Sequence, residues 1–168
     1  MTEGTIRAAY RVWPEYDRRL REVVAGLTAE QLAIQPSPDR WPLWASIGHL
    51  ACQRVFGLCD VAGEPGAETT PFPNAGFDCP GDDDLEHVWS AEALVEALAS
   101  TFRIIDGCLD GWTLAMLDDE IRLDDWGGDW SRTRGDMLAR TFAHDMSHIT
   151  ELNETLGRAG LRQVDIWE

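Results

Sequence analysis

The chain holds 168 residues, 44% of them apolar, and carries a formal net charge of −16. Length and apolar share fit one folded domain over residues 1–168 with its own core, and exclude a disordered segment. The charge works against nucleic acid, whose phosphates require compensating Lys and Arg, and against an anionic membrane surface.

In chain order, the first helical stretch spans residues 5–27. Ile6, Tyr10, Trp13, Leu20 and Val24 recur at helical spacing. Pro14 interrupts it, so the helix either bends or restarts there. Residues 28–32 read as a short helical turn. Pro36, Pro38 and Pro42 mark a loop, and a second helix spans 42–62. Residues 63–89 hold most of the breakers and form a long connection, which needs a reason in a compact domain. Two parallel helices supply one, because the chain must then travel the length of the bundle, about 30 Å for a 20-residue helix.

The third helix follows the N-cap Ser90 and runs to residue 109, with Leu94, Leu98, Phe102, Ile105 and Leu109 as its stripe. Residues 113–119 form another short turn. Residues 121–126 and 130–133 flank Gly127 and Gly128 as an irregular hairpin. The fourth helix spans 134–156 and stops at Gly157. The pattern is that of an all-α four-helix bundle.

No apolar run approaches the roughly 18 residues of a membrane span, and the N-terminus lacks a basic-then-apolar leader. Both place the chain in the cytoplasm. There its four cysteines, which include no C-x-x-C pair, are expected to be reduced. Cys52 and Cys59 read as core residues. Cys79, in a Gly/Pro-rich stretch, is a candidate reactive thiol. The acidic runs Asp82-Asp83-Asp84 and Asp118-Asp119-Glu120, the latter continuing to Asp124 and Asp125, read as solvated loops and lack calcium-loop spacing. All 14 basic residues are Arg, which excludes a lysine nucleophile. Trp41, Trp44, Trp126, Trp130 and Trp167 are candidates for core packing, a pocket mouth or a dimer surface.

His144 and His148 are four residues apart on the fourth helix, so they share a face and can reach one metal ion. At about 100° per residue their stripe borders the apolar face, which suits ligands inside a bundle. His49 stands on the second helix with Gln53 one turn on, placed to orient a ligand or a bound water. Spacing alone leaves open whether His49 meets the pair. His87, in an acidic stretch, is the weakest candidate.

The segment His144-Asp-Met-Ser-His-Ile-Thr-Glu-Leu-Asn-Glu-Thr-Leu-Gly157, followed by Gly160-Leu161 and Asp165-Ile-Trp167, resembles the DinB/YfiT-like superfamily. Trp41-Pro-Leu-Trp-Ala-Ser-Ile-Gly-His-Leu50 and Leu85-Glu-His-Val-Trp-Ser-Ala-Glu-Ala-Leu94 resemble its second helix and the start of its third. The resemblance implies helices in up-down-down-up order, with the long crossover between the second and third. It also implies a three-histidine metal site, here His49, His144 and His148, and a homodimer. Related branches include thiol-dependent S-transferases. The branch of sulfoxide synthases carries a Glu two residues after the second His, where this chain has Thr150, and is disfavoured.

Three imidazoles leave a divalent ion with open positions; zinc or nickel fits best, and iron is an alternative. Such an ion deprotonates a bound low-molecular-weight thiol or a water. The expectation is therefore a metal-dependent transferase that joins a thiol to a small electrophile. A non-catalytic metal- or ligand-binding bundle and a metal-dependent hydrolase are the alternatives. Glu151, one turn past His148, is the candidate general base or supporting carboxylate.

Overall fold

Pro14 settles how the chain begins. In the computed structural model, which describes residues 4–123 and 131–167, a 3-10 turn over Ile6–Tyr10 gives way to helix α1, Trp13–Ala25. Pro14 sits in the first turn of α1, where its missing N–H forfeits no intrahelical bond. The helix thus restarts at Pro14 and does not bend there.

The one-turn helix α2, Ala29–Leu32, is closed by a reciprocal cap. Thr28 Oγ1 accepts from the Gln31 N–H at 3.2 Å, and Gln31 Oε1 accepts from the Thr28 N–H at 2.9 Å. Helix α3, Leu43–Val55, follows Pro42 and continues as a π-helical turn over Phe56–Val61. Helix α4, Ala91–Gly111, starts at Ser90, whose hydroxyl accepts from the Ala93 N–H at 3.2 Å.

Strand β1, Glu120–Arg122, pairs antiparallel with β2, Ser131–Thr133. The expected hairpin is therefore present in its arms, while its Gly127–Gly128 turn, with Trp126 and Trp130, lies outside the described residues. Helix α5, Arg134–Arg158, opens with a second reciprocal cap, between Thr133 and Asp136. It runs straight through Gly157, which corrects the expected stop. A Cβ at Gly157 would meet Gln163 Nε2 at 2.7 Å, so this glycine serves the close approach of the returning tail. The reversal falls at Gly160, with φ +69°. The tail is then zipped to α5: the Asn153 amide donates to the Val164 carbonyl and accepts the Val164 N–H, both at 2.7 Å.

Helices α1, α3, α4 and α5 form an all-α bundle, with α3 against α4 and α5, and α1 against α4. Trp13, Leu20, Leu50, Leu98, Ile105 and Leu138 are among its buried residues. Trp44 belongs to this core, whereas Trp167 is 91% exposed. No helix among the described residues is long and apolar enough to cross a membrane.

One charged cluster lies inside this core. Arg54 of α3 donates to Asp145 of α5 through Nε and Nη2, the latter at 2.8 Å, and through Nη1 to Asp17 of α1 at 2.8 Å and the Leu98 carbonyl at 3.2 Å. Trp13 Nε1 donates to Asp145 at 2.8 Å. Arg54, Asp17 and Asp145 are all at most 1% exposed. Burial pushes the Asp145 carboxyl up, against the opposing pull of Arg54.

The cysteines depart from expectation. Cys52 and Cys79 form a disulfide, with Cα atoms 5.7 Å apart. Cys79 is 1% exposed, so it is no reactive surface thiol. The fold lays the 63–89 segment back over α3 and brings together two residues 27 apart in the chain. Cys59 and Cys108 remain free; burial pushes their thiols up, to about 11 and about 12.

Candidate metal centre

His49 lies mid-way along α3, and His144 and His148 are one turn apart on α5. The two helices pack directly against each other. The Arg54–Asp145 pair joins the same two helices beside His144. His49 and His144 Nε2 atoms are 3.3 Å apart, and those of His144 and His148 are 3.1 Å apart. One nitrogen from each ring lies within 4.8 Å of the others. Nitrogens at about 2.0–2.1 Å from one tetrahedral ion stand roughly 3.3 Å from each other. The spacing of the three rings therefore suits a single ion.

The far edges of two rings face carboxylates. His49 Nδ1 is 3.2 Å from Asp82 Oδ2, and His148 Nδ1 is 3.2 Å from Glu151 Oε2. Neither contact has full hydrogen-bond alignment, and both Nδ1 atoms are buried without another partner that has it. The Pro80 carbonyl also bears on the His49 ring. These acceptors favour a proton on Nδ1, which leaves the Nε2 lone pairs directed at one another. Lone pairs that converge in this way repel unless a cation stands between them, so the donor set fits a divalent metal.

Protonation points the same way. Burial, followed by the neighbouring His148 and His49, pushes His144 down to about 3. Burial also lowers His49, with Asp82 opposing. Both rings are therefore neutral at physiological pH, the form that a metal requires.

His49 and His148 form part of the wall of a cavity of about 630 Å³. Trp41, Ser46, Arg40 and Arg158 line it together with His49, His148, Asp82 and Glu151. The Trp41 ring lies 4.9 Å from that of His49, so among the described tryptophans singled out in the sequence this one shapes the pocket. Glu151 is half exposed. Gln53 is not among the residues of this cavity. Its Nε2 donates to Cys79 Sγ at 3.7 Å, and it borders a small cleft shared with His144. His87 is exposed and pairs with Asp84 at 2.6 Å, apart from the other three histidines.

Sequence reasoning missed Asp82, which it read as solvated loop, and the Arg54–Asp17–Asp145 cluster. The only local signal for the latter was charge within apolar helical stretches. Asp82 gives no local signal, because its contact with His49 spans 33 positions.

A histidine site able to coordinate a divalent metal, set in an all-α bundle, defines the class. Residues 15–152 match the DinB superfamily, and the chain belongs to that superfamily. Among solved structures it is similar to a DinB-like protein from Bacillus cereus ATCC 10987, 16% identical, with a TM-score of 0.71 over 99% of this chain and 100% of that one. At that identity the likeness bears on the fold. No curated protein matches the sequence.

Proposed function

We propose that His49, His144 and His148 bind one divalent ion through Nε2, zinc or nickel before iron, and that the chain is a metal-dependent transferase. Its substrates are a low-molecular-weight thiol and a small electrophile. The observation that carries this reading is the convergence of three imidazoles, two of which reach the wall of a cavity large enough for a small molecule. When bound, the ion supplies a Lewis-acid position at which a thiol loses its proton near neutral pH.

The protein's own residues do the rest. Glu151 holds the Nδ1 proton of His148 with one oxygen and, being half exposed, accepts the thiol proton with the other. Trp41 gives the acceptor an apolar wall beside His49. Gln53 supports the site through its neighbour Cys79. The full reading also includes a single domain over 1–168, helices in up-down-down-up order with 63–89 as crossover, and a homodimer. Cytoplasmic placement goes with it, because small thiols are kept reduced there. The net charge of −16 supports neither nucleic acid nor membrane as a partner.

A second reading is a non-catalytic metal- or ligand-binding bundle. It is favoured by one observation: Asp82 and Glu151 both face histidine Nδ1 atoms, which leaves the site short of an uncommitted base. Metal analysis of untagged protein, followed by a screen of thiols against electrophilic acceptors, separates the two. The transferase reading expects stoichiometric metal and turnover. It also expects Glu151→Gln to reduce turnover by about 10²-fold or more with metal retained. Bound metal without turnover for any pair favours the second reading, and absence of metal after zinc or nickel is added sinks the metal site in both.

A further inference from the structure

We propose that residues 79–84 form a strap, locked to α3 by the Cys52–Cys79 disulfide, whose Asp82 positions His49, so that the redox state of that bond sets the metal affinity of the site. The inference rests on the three-histidine reading and goes beyond it, to a positioning residue and its control.

The strap touches α3 and the cavity wall at four successive residues. Cys79 is bonded to Cys52, which lies one turn past His49. Pro80 lies on Gly48: a Cβ there would come within 3.0 Å of the proline ring carbons. Gly81, at φ +86°, passes so close to Trp41 that a Cβ would stand 2.9 Å from the indole. Asp82 then reaches His49 Nδ1 at 3.2 Å. Bonds within the strap hold this path. Asp83 Oδ2 accepts from the Cys79 N–H at 2.7 Å, and the Cys79 carbonyl accepts from the Asp83 N–H at 2.9 Å.

The contacts at Gly48 and Gly81 leave little room for a Cβ and so fit one placement of the loop. The disulfide is the only covalent one. Asp82 is itself half exposed, and the buried group it meets is the His49 ring that it has to hold. Its position beside His49 therefore derives from the bond three residues earlier. A carboxylate on Nδ1 fixes the tautomer and rotation of a ligating imidazole and raises its basicity. Removing the bond frees the loop and withdraws that support.

The chemistry is ordinary thiol–disulfide exchange. A dithiol gives two electrons and two protons; the Cys52–Cys79 bond breaks to two thiols, and the dithiol closes to its cyclic disulfide. Both sulfurs belong to residues at most 1% exposed. Exchange thus waits on a local opening around the bond, and the switch is slow.

Zinc affinity tests this, measured by competition with a chromophoric chelator. The samples are the oxidised chain, the chain reduced with a dithiol and desalted anaerobically, the Cys52→Ser/Cys79→Ser variant and Asp82→Asn. Reduction is verified by mass, and folding by circular dichroism. The expected result is a loss of about 10–100-fold for Asp82→Asn, for the reduced chain and for the double variant, with no further loss when Asp82→Asn is reduced. Affinity unchanged in a folded Asp82→Asn, or unchanged on reduction, overturns the strap while leaving the three-histidine site intact. An oxidised chain that binds no zinc overturns both. Should the double variant unfold, the reduced chain and Asp82→Asn still decide the matter.

Discussion

Two polar clusters lie between α3 and α5, one residue apart on α5. Asp145 belongs to the ion network with Arg54 and Asp17, and His144 belongs to the histidine site. In the network every charge has an opposite charge, and Arg54 spends its guanidinium on two carboxylates and a carbonyl. In the histidine site, three like atoms face one another across 3.1–3.3 Å contacts with no opposite charge between them. Both clusters are polar groups withdrawn from water. The first is complete within the chain and reads as structure. The second is complete only with something added, and reads as a site. Buried polar groups therefore separate by whether their needs are met internally.

The largest test of this contrast is Arg54→Ala. It takes the shared guanidinium from two buried carboxylates, leaving Asp17 with Arg21 and Asp145 with the Trp13 N–H, and the expected destabilisation is about 3–5 kcal/mol, a large part of an ordinary domain's stability. Urea unfolding measures it; a loss below about 1 kcal/mol would show that the network is not structural.

His144→Ala is the complementary change. Zinc at 100 times its dissociation constant is expected to stabilise the wild type by about 2.7 kcal/mol, seen as a rise in Tm, and to leave His144→Ala unmoved. An equal rise in both proteins would remove His144 from the ligand set.

A third test concerns pH in the metal-free chain. The folded state holds His144 at about 3, below the unfolded value of about 6.5. The unfolded chain thus takes up this proton first as pH falls. Stability from this source is full above about pH 6.5 and drains away towards pH 3. Stability of wild type and His144→Asn across that window should diverge, with the variant less pH-sensitive; parallel curves would contradict the low His144 value.

How much of this was legible beforehand follows from distance along the chain. The Ser90 cap and the His144–His148 pair are local patterns, and each stands where periodicity put it. Pro14 allowed two outcomes, and packing of Trp13 into the core accompanies the one adopted. His49 could not be joined to the pair by spacing, since the contact crosses 95 positions; the resemblance carried it. The Cys52–Cys79 bond and the Asp82 contact had no such help. Gly157 misled because a glycine that ends a helix and one that lets a tail cross look identical in sequence. Only the approach of Gln163 separates them.

The clasp between Asn153 and Val164 has a consequence for substitution. One carboxamide there gives and takes a hydrogen bond with the backbone of a single residue, as a neighbouring β-strand would. A side chain is standing in for backbone. Position 164 is accordingly read through its main chain, and any apolar residue other than proline that fills the space of Val164 keeps the clasp. Position 153 has no such latitude: Asp keeps the acceptor but loses the donor, and Leu loses both. The two partners of one contact thus carry unequal freedom to vary.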